Sequence, residues 1–495
     1  MQIKFSECDN HNPVTSLTGF RRQNYLHIVT LLVAIVSLIS NVRAQEPRSE
    51  VNLPSGCLIV HLGTTDGERE IALAKDGRFL VHGLTRDADK VGELLERFAR
   101  ASVAGLAHVQ AVKDWKTLPY PDRFVHLLIA DLDALTQPPV IEEIQRVLAV
   151  GGSASIRQGG AWKTVKRTGK ERTADWTHKW YDVTGNPLSH DEIAGPPTAV
   201  QWVHGPAFAD RSVGGKMPRI ASGLFICIDS VDGALFARDA NTGLPRWRAN
   251  LKLADTADFN IADGKIYLHA DDESTDKDGR NRAETGPLVV LDLATGKRLG
   301  TFDQGIQNRS PKFSATHSIA QTLVSTKGIL QAVASEICLL DPKNGAKRWH
   351  HQLKDGVYFA PILLDDLVIV AECDSPVRRA RLDNSNSARA LVAFHIADGK
   401  QAWRSEKVLP PWVTEEIRGV KVTQRPSLSP LIGADGMIFL HGGSYQSRAP
   451  GAFFAGLSAK DGKEIWRHVF VEKDWTNTVE SSRLVVREGV VYYLG

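Results

Sequence analysis

The hydrophobic and polar positions of this chain follow two different patterns. Between about residues 56 and 158, short apolar runs alternate with amphipathic stretches, whereas from about residue 221 short apolar runs are separated by polar turns that contain glycine. The first pattern predicts strands alternating with helices, as in a parallel sheet covered on both faces. The second predicts antiparallel strands joined by hairpins. We therefore expect a mostly β chain with an N-terminal α/β domain.

Periodicity divides the first pattern into individual elements. Apolar residues at helical spacing predict an amphipathic helix over residues 87–101. The full prediction is strands at 57–62, 79–84, 109–112, 125–130 and 153–157, with helices at about 68–75, 87–101 and 141–148. Ligands of such sheets bind at the carboxyl ends of the strands. The turn after the first strand, from Gly63 to Gly67, is therefore a candidate binding site.

A repeat governs the second pattern. In each copy an apolar strand leads into a polar turn that ends in glycine, and in four of five copies a Trp stands four residues after that glycine. The copies recur roughly every 50 residues, a period typical of repeat proteins. The pairs are Gly243 with Trp247, Gly345 with Trp349, Gly399 with Trp403 and Gly462 with Trp466, whereas the second copy has Gly296 and then Gly300.

Each copy predicts about four antiparallel strands around a hairpin whose glycine supplies a positive φ. Units of this size cannot bury both faces alone, and arranged radially they form a β-propeller. We expect about six blades, within a range of six to eight. A sixth copy begins at residue 483 and stops at Gly495 without its second half. Either the chain is truncated, which we favour, or a strand from the 195–220 segment completes the ring.

The N-terminus carries a targeting signal. Residues 28–39 form an apolar run that is too short to span a hydrocarbon core of about 30 Å as a helix. Arg21 and Arg22 precede this run, and Val42-Arg43-Ala44 follows it as a site for cleavage. These features predict a signal peptide over residues 1–44 and a periplasmic or otherwise exported protein of the cell envelope. An uncleaved anchor is the alternative.

Composition narrows the classes of function. The chain is 42% hydrophobic and 24% charged with a formal net charge of +3, so nothing calls for a nucleic-acid partner. Five Cys in 495 residues exclude a disulfide scaffold. No segment after the leader is long and apolar enough for a transmembrane span. His178, His190 and His204 lack the spacing of metal ligands on any one element, and no metal site is predicted.

Three motifs of the first domain resemble those of class I S-adenosylmethionine-dependent methyltransferases. They are Gly63-x-x-Asp66-Gly67, the stretch from Asp114 to Phe124, and the run from Glu143 to Leu148 that precedes Gly151-Gly152. The resemblance implies a doubly wound, Rossmann-like sheet. It also implies a cofactor site at Gly63, Asp66, Gly67, Thr85 and Asp114.

The departures from that family concern the cofactor. The family's central glycine corresponds to Thr65 in this chain. Its ribose-binding acid, which accepts hydrogen bonds from the ribose hydroxyls, corresponds to Thr85. The acid before the glycine turn corresponds to His61. Loss of a charged bidentate acceptor weakens binding by about 2–3 kcal/mol. S-adenosylmethionine is also scarce outside the cytoplasm. We therefore expect a degenerate, non-catalytic domain that does not use this cofactor.

The repeat resembles the pyrroloquinoline-quinone-type (quinoprotein-like) repeat, A-x-D-x-x-T-G-x-x-x-W. The resemblance implies a propeller in which the tryptophans dock neighbouring blades, and the domain order is similar to that of exported planctomycete-type bacterial proteins. Quinone-dependent dehydrogenases of this fold use a vicinal disulfide, a catalytic Asp and Glu and Asn ligands to Ca²⁺. This chain has no adjacent Cys pair. We interpret the acidic stretch 271–278 as a solvated loop of a blade, and a Ca²⁺-binding loop is the alternative.

These predictions divide the chain into a signal peptide (1–44), a methyltransferase-like domain (54–158), a Trp/Gly/Pro-rich bridging segment (159–220) and a propeller (221–495). We interpret the bridge as an ordered linker that packs aromatic side chains between the domains. The alternative is a site formed by residues 173–178 with Asp182, Gly185 and Asn186. The sequence favours a binding or assembly platform for protein partners over an enzyme, with no firm cofactor. The alternatives are a pyrroloquinoline-quinone- and Ca²⁺-dependent dehydrogenase of alcohols or sugars, and a methyltransferase.

Overall fold

The computed structural model describes most of the chain after residue 52. The described residues are 53–167, 173–192, 200, 202–203, 217–229, 232–253, 258–269, 287–306, 321–373, 388–407, 413–417, 420–424, 427–428, 431–443, 452–470 and 483–494. The predicted signal peptide, the acidic stretch 271–278 and His204 lie outside these residues.

The N-terminal domain is built on a six-stranded sheet with strand order β3-β2-β1-β4-β5-β6. All its neighbouring pairs are parallel except β5 with β6. Its strands are β1 (Cys57–Leu62), β2 (Phe79–Thr85), β3 (Ala107–Ala111), β4 (Val125–Asp131), β5 (Leu148–Gln158) and β6 (Ala161–Lys166). Its helices are α1 (Glu68–Ala74), α2 (Lys90–Arg100) and α3 (Ile141–Val147).

Helices cover both faces of this sheet, because its central strands are apolar on both sides. Leu94 and Phe98 of α2 pack on one face, and Ile144 and Val147 of α3 pack on the other. The predicted doubly wound α/β sheet is therefore confirmed. Two details differ from the prediction. Leu148 begins β5 instead of ending the helix, and the antiparallel strand β6 extends the sheet into the stretch interpreted as a bridge.

The rest of the chain forms a series of antiparallel sheets, here called blades 1 to 6. Blade 1 comprises β7 (Arg219–Ala221), β8 (Leu224–Asp229), β9 (Ala234–Asp239) and β10 (Pro245–Asn250). Blade 2 comprises β11 (Phe259–Ala262), β12 (Lys265–His269), β13 (Leu288–Asp292) and β14 (Arg298–Phe302). Blade 3 comprises β15 (Gln321–Ser325), β16 (Gly328–Val333), β17 (Glu336–Leu340) and β18 (Lys347–Gln352). Blade 4 comprises β19 (Val357–Leu364), β20 (Leu367–Cys373), β21 (Ala388–His395) and β22 (Gln401–Ser405).

Blade 5 is preceded by a separate hairpin and has a divided first strand. The hairpin is β23 (Val413–Ile417) with β24 (Val420–Gln424), and the blade comprises β25 (Ser427–Leu428), β26 (Ile432–Ala434), β27 (Met437–Gly443), β28 (Ala452–Ser458) and β29 (Glu464–Phe470), with both β25 and β26 paired to β27. The described part of blade 6 is β30 (Arg483–Arg487) with β31 (Val490–Leu494).

The first strands of successive blades lie next to each other. Strand β7 contacts β11, β11 contacts β15, β15 contacts β19, and β19 contacts β26. The later strands of each blade follow in order away from this common line. The blades are thus arranged radially with their first strands innermost, and the predicted propeller of four-stranded blades is confirmed.

Candidate functional site

The glycine turn of the α/β domain lies at the carboxyl end of β1, where the sequence places a cofactor site. Gly63 and Gly67 have φ values of 86° and 75°, a backbone that glycine adopts without strain. A side chain nevertheless covers Gly63, because the Cδ2 of Leu135 lies 2.8 Å from the point where a Cβ on Gly63 would stand. An apolar side chain of the chain itself therefore lies against Gly63.

The other predicted cofactor residues shape the backbone next to them. Asp66 accepts a hydrogen bond from the Glu68 amide at 3.0 Å, and Asp114 accepts one from the Lys116 amide at 2.8 Å. The hydroxyl of Thr85, which is buried, accepts one from the Asp87 amide at 3.1 Å. Each side chain closes a local turn, as short polar residues commonly do.

A carboxylate that the sequence analysis did not select lies beneath the same turn. Glu70 is buried, and its Oε1 accepts hydrogen bonds from the Thr64 hydroxyl and from His61 Nδ1, each at 2.6 Å. Burial alone would raise the pKa of Glu70, but the bonds from His61 and Thr64 lower it below its ordinary value. Gly83 leaves room for this cluster, because a Cβ there would lie 2.4 Å from the Thr64 hydroxyl.

The most specific of the three methyltransferase-like motifs has a structural role. Glu143 accepts a hydrogen bond from the Leu118 amide at 2.6 Å and pairs with Arg146 at 2.7 Å. Arg146 also donates to the carbonyls of Tyr120 and Leu118 and to Asp122. The pair therefore fastens α3 to the stretch from Asp114 to Phe124. These two motifs therefore contact each other through Glu143 and Arg146.

These observations test whether S-adenosylmethionine fits. The cradle at Gly63 is covered by Leu135, and Thr85, Asp66 and Asp114 accept hydrogen bonds from nearby amides. Thr85 moreover offers one hydroxyl where a bidentate acid is needed to hold two ribose hydroxyls. The residues present do not fit this cofactor.

In the propeller, the repeated Trp and Gly residues meet between neighbouring blades. Trp247 of blade 1 covers Gly296 of blade 2, Trp349 of blade 3 covers Gly399 of blade 4, and Trp403 of blade 4 covers Gly462 of blade 5. Each of these indoles also donates from Nε1 to a backbone carbonyl of the next blade, at 2.8–3.0 Å, namely Leu293, Ile396 and Ala459. A bare glycine is needed because the indole lies where its side chain would stand.

Two further aromatic residues make the same contact. Phe302 of blade 2 covers Gly345 of blade 3, which explains how the second copy dispenses with Trp at Gly300. Trp202 of the bridging segment covers Gly243 of blade 1 and donates from Nε1 to the carbonyl of Ala240 at 3.0 Å. The bridge therefore supplies blade 1 with a docking indole. The sequence shows this Trp but not its role, because no turn glycine stands four residues before it.

Residues 175–186 of the bridging segment, here called the strap, contact the innermost strand of every blade. Six backbone amides donate to the strap at 2.8–3.1 Å. In blades 1 to 3 the amides of Ile220, Ile261 and Val324 donate to the Trp176 carbonyl, the Thr177 carbonyl and His178 Nε2, respectively. In blades 4 to 6 the amides of Leu363, Gly433 and Val486 donate to the Val183 carbonyl, the Thr184 carbonyl and Asn186 Oδ1, respectively. The strap thus occupies the axis where the six blades converge.

The two side chains of the strap that accept these bonds are buried. Burial and the charge of Arg219 lower the pKa of His178 to about 3. Its ring is therefore neutral at ordinary pH, so Nε2 can accept the Val324 amide while Nδ1 donates to the Thr177 hydroxyl at 2.8 Å. Asn186 both accepts from the Val486 amide and donates to the Val486 carbonyl. Neither His178 nor Asn186 therefore places a charged group in the axis.

The strap also bears on a quinone cofactor. The four free cysteines, Cys57, Cys227, Cys338 and Cys373, lie on separate strands, so no vicinal disulfide is available. No group of three or more His, Cys, Asp or Glu suited to a metal ion occurs among the described residues. The strap occupies the axis, and the atoms with which it meets the blades are four main-chain carbonyls and two neutral side chains, so these residues do not fit a quinone with Ca²⁺.

A polar contact joins the α/β domain to blade 1. His126 of β4 contacts Asp239 at 2.9 Å, and Arg246 contacts the same carboxylate oxygen at 2.7 Å. Arg246 also reaches the carbonyl of Ser55 and the thiol of Cys57. Burial alone would raise the pKa of Asp239, but the bonds from His126 and Arg246 hold it well below its ordinary value. The contact uses the amino ends of β1 and β4, and the glycine turn lies at the opposite edge.

Comparison with known proteins relates the propeller to a known family. A family model described as outer membrane protein assembly factor BamB matches residues 199–355 and 284–495. Comparison with curated proteins gives no match. In the part of the chain that the structure describes, no helix is long and apolar enough to cross a membrane.

Among solved structures, BamB from Moraxella catarrhalis is 16% identical over 50% of this chain and 73% of its own, with a TM-score of 0.28. A putative S-adenosyl-L-methionine-dependent methyltransferase from Methanococcus maripaludis is 21% identical over 29% of this chain and 67% of its own, with a TM-score of 0.19. Geranyl diphosphate C-methyltransferase from Streptomyces coelicolor is 14% identical over 28% of this chain, with a TM-score of 0.20, and this chain spans 51% of its length.

Proposed function

Because this chain belongs to the family of the outer membrane protein assembly factor BamB, we propose that it is a protein-binding platform of the cell envelope. The propeller supplies the binding surface in this proposal. The α/β domain is a second, non-catalytic module fixed to blade 1. The apolar run at 28–39 and the cleavage motif before Gln45 favour export of the chain to that compartment.

One observation supports this proposal: residues of the chain itself lie against the glycine turn and within the propeller axis, the two places where these folds would hold a cofactor. Leu135 covers the glycine turn, and the strap occupies the propeller axis. If neither the glycine turn nor the propeller axis holds a reactive group, the protein acts by binding partners on its outer surfaces. Propellers offer large, rigid surfaces of this kind.

The contact with the α/β domain indicates which part of a blade binds protein. It uses Arg246, three residues after the turn glycine of blade 1. At the same position of the repeat, blade 2 carries Leu299 and blade 5 carries Ile465, large apolar side chains that are 57% and 58% exposed. Apolar side chains at this repeat position add contact area for a partner that docks on a blade as the α/β domain does on blade 1. We infer that partners contact the outer strands near these residues.

Site-specific crosslinking in cells tests the proposal. A photoreactive amino acid is placed at Leu299 or Ile465 of the full-length protein in its native host, and Val140 of the α/β domain, 63% exposed, serves as the matched control. We expect a discrete protein adduct from the propeller positions in the envelope fraction and none from Val140. Absence of adducts from both propeller positions contradicts the assigned surface.

Ligand binding tests the alternatives directly. We expect no binding of S-adenosylmethionine by calorimetry, and no dye reduction when pyrroloquinoline quinone, Ca²⁺ and alcohols or sugars are added. Micromolar binding of S-adenosylmethionine would establish that the Leu135 side chain moves aside. Quinone-dependent dye reduction that requires Ca²⁺ would establish a dehydrogenase and overturn the platform.

A further inference from the structure

The innermost strands of the six blades present a ring of equivalent amide groups. Each donor of the six strap bonds occupies the same register, opposite the residue five positions later across the adjoining hairpin. The register pairs are Ile220 with Phe225, Ile261 with Ile266, Val324 with Ile329, Leu363 with Val368, Gly433 with Ile438 and Val486 with Val491. The equivalence of the six donors therefore follows from the repeat itself.

The strap meets this ring in the order of the blades. Its first three acceptors, in residues 176–178, serve blades 1 to 3, and its last three, in residues 183–186, serve blades 4 to 6. A tight turn separates the two halves, closed by amides of Thr177 and His178 that donate to the carbonyl of Tyr181. The strap therefore runs around the axis in the direction of the ring.

The chemistry of the six contacts is that of peptide recognition. Four acceptors are main-chain carbonyls, and the amides that they satisfy belong to strand edges that would otherwise be unpaired. Main-chain pairing of this kind is how sheet edges bind extended peptides. The two remaining acceptors, His178 and Asn186, fix the register because each is a buried side chain with one fitting partner.

We propose that the axis of the propeller is a peptide-binding site and that residues 175–186 are its resident ligand. The site takes an extended segment with a central turn, recognised by six inward amides and specified by one neutral imidazole and one carboxamide. By occupying the site, the strap closes the axis to other molecules and joins all six blades through one segment. This goes beyond the platform function, since it concerns the axis and not the outer strands.

Cleavage on both sides of the strap tests this proposal in the full-length protein. Sites for a specific protease are introduced within 168–172 and within 193–199, and the purified protein is cut and passed over a gel-filtration column under native conditions. We expect the strap peptide to elute with the propeller. Release of the peptide under these conditions, with the unfolding midpoint of the propeller unchanged, overturns the proposal.

Peptide exchange tests the specificity of the site. The cut protein is incubated with a fluorescent synthetic peptide of residues 173–192, or with the same peptide carrying His178→Ala and Asn186→Ala. We expect the natural peptide to replace the resident one, and the doubly substituted peptide to be at least tenfold weaker. Equal incorporation of the two peptides overturns the assignment of His178 and Asn186 as the residues that specify the ligand.

Substitution in the uncut chain gives a readout that does not depend on the added cleavage sites. Asn186→Ala removes both bonds to Val486 and should lower the midpoint of thermal unfolding of the propeller. The control is Asn344→Ala, which removes a side-chain bond to the Ala346 amide on an exposed turn of blade 3 and should change the midpoint little. Equal midpoints for the two variants contradict the proposal.

Discussion

The contact between indole and glycine can be tested with two glycine-to-alanine substitutions. The two glycines have the same backbone conformation, but only one of them lies against an indole. Gly399 and Gly436 both have a φ of 71°. A Cβ on Gly399 would lie 2.6 Å from Cγ of Trp349, whereas one on Gly436 would have no atom within 4 Å. The two variants therefore share the cost of a left-handed alanine, and Gly399→Ala adds a clash with the docked indole.

The expected difference follows from these distances. A left-handed alanine costs about 1–2 kcal/mol in either variant. A backbone-borne methyl 2.6 Å from a ring carbon forces Trp349 or the turn to move, and overpacking of a well-packed site costs about 1–3 kcal/mol more. Displacing the indole also endangers its bond to the Ile396 carbonyl at 3.0 Å. Gly399→Ala should therefore be about 1–3 kcal/mol less stable than Gly436→Ala.

Denaturant titration followed by far-ultraviolet circular dichroism measures this difference, because the propeller supplies most of the strands. The comparison is between the two variants, so any effect on the unfolded chain is shared. Equal midpoints for the two variants would refute the reasoning. The indole would then contribute no packing that depends on a bare glycine.

Three further predictions concern single contacts. Trp403→Phe keeps an aromatic ring but leaves the Ala459 carbonyl without its donor, and should cost about 1–3 kcal/mol in denaturant titration; an unchanged midpoint would contradict it. Asp239 has a pKa below its unfolded value of about 3.9, so its stabilising contribution is present above that pH and is lost as the pH falls further; Asp239→Asn should therefore flatten the acid limb of a stability–pH profile, and an unaltered profile would disprove the role. Arg146→Ala leaves Glu143 without its cation and should cost about 1–3 kcal/mol, measured by tryptophan fluorescence of the α/β domain; a stable variant would show that the clamp is dispensable.

The sequence predicts the features that recur or alternate. Glycine and Trp at a fixed spacing predict the blades, and the contact of Trp349 with Gly399 follows from that repeat. Alternation of strand and helix predicts the parallel sheet in the same way. Such patterns are visible because each position repeats a residue type that its surroundings require.

The strap leaves no comparable pattern. Four of its six acceptors are main-chain carbonyls, which every residue type provides, so no composition marks them. Asn186 contacts Val486 across 300 positions of the chain, a separation that no local pattern spans. Leu135 over Gly63 is a similar case, since a Leu after a strand is ordinary until the turn that it covers is known. The sequence therefore predicts candidate cofactor positions but not the residues that lie against them.

The contact between the α/β domain and blade 1 needs few residues beyond those that the repeat already supplies. In blade 3 the pair Arg348 with Asp341 occupies the repeat position of Arg246 with Asp239, at 2.6 Å and partly exposed to solvent. The pair in blade 1 is thus a feature of the repeat that the α/β domain buries by adding His126 and its own main chain. A domain docked in this way points its glycine turn away from blade 1. The carboxyl edge of the α/β sheet, which carries the glycine turn, therefore takes no part in the contact with blade 1.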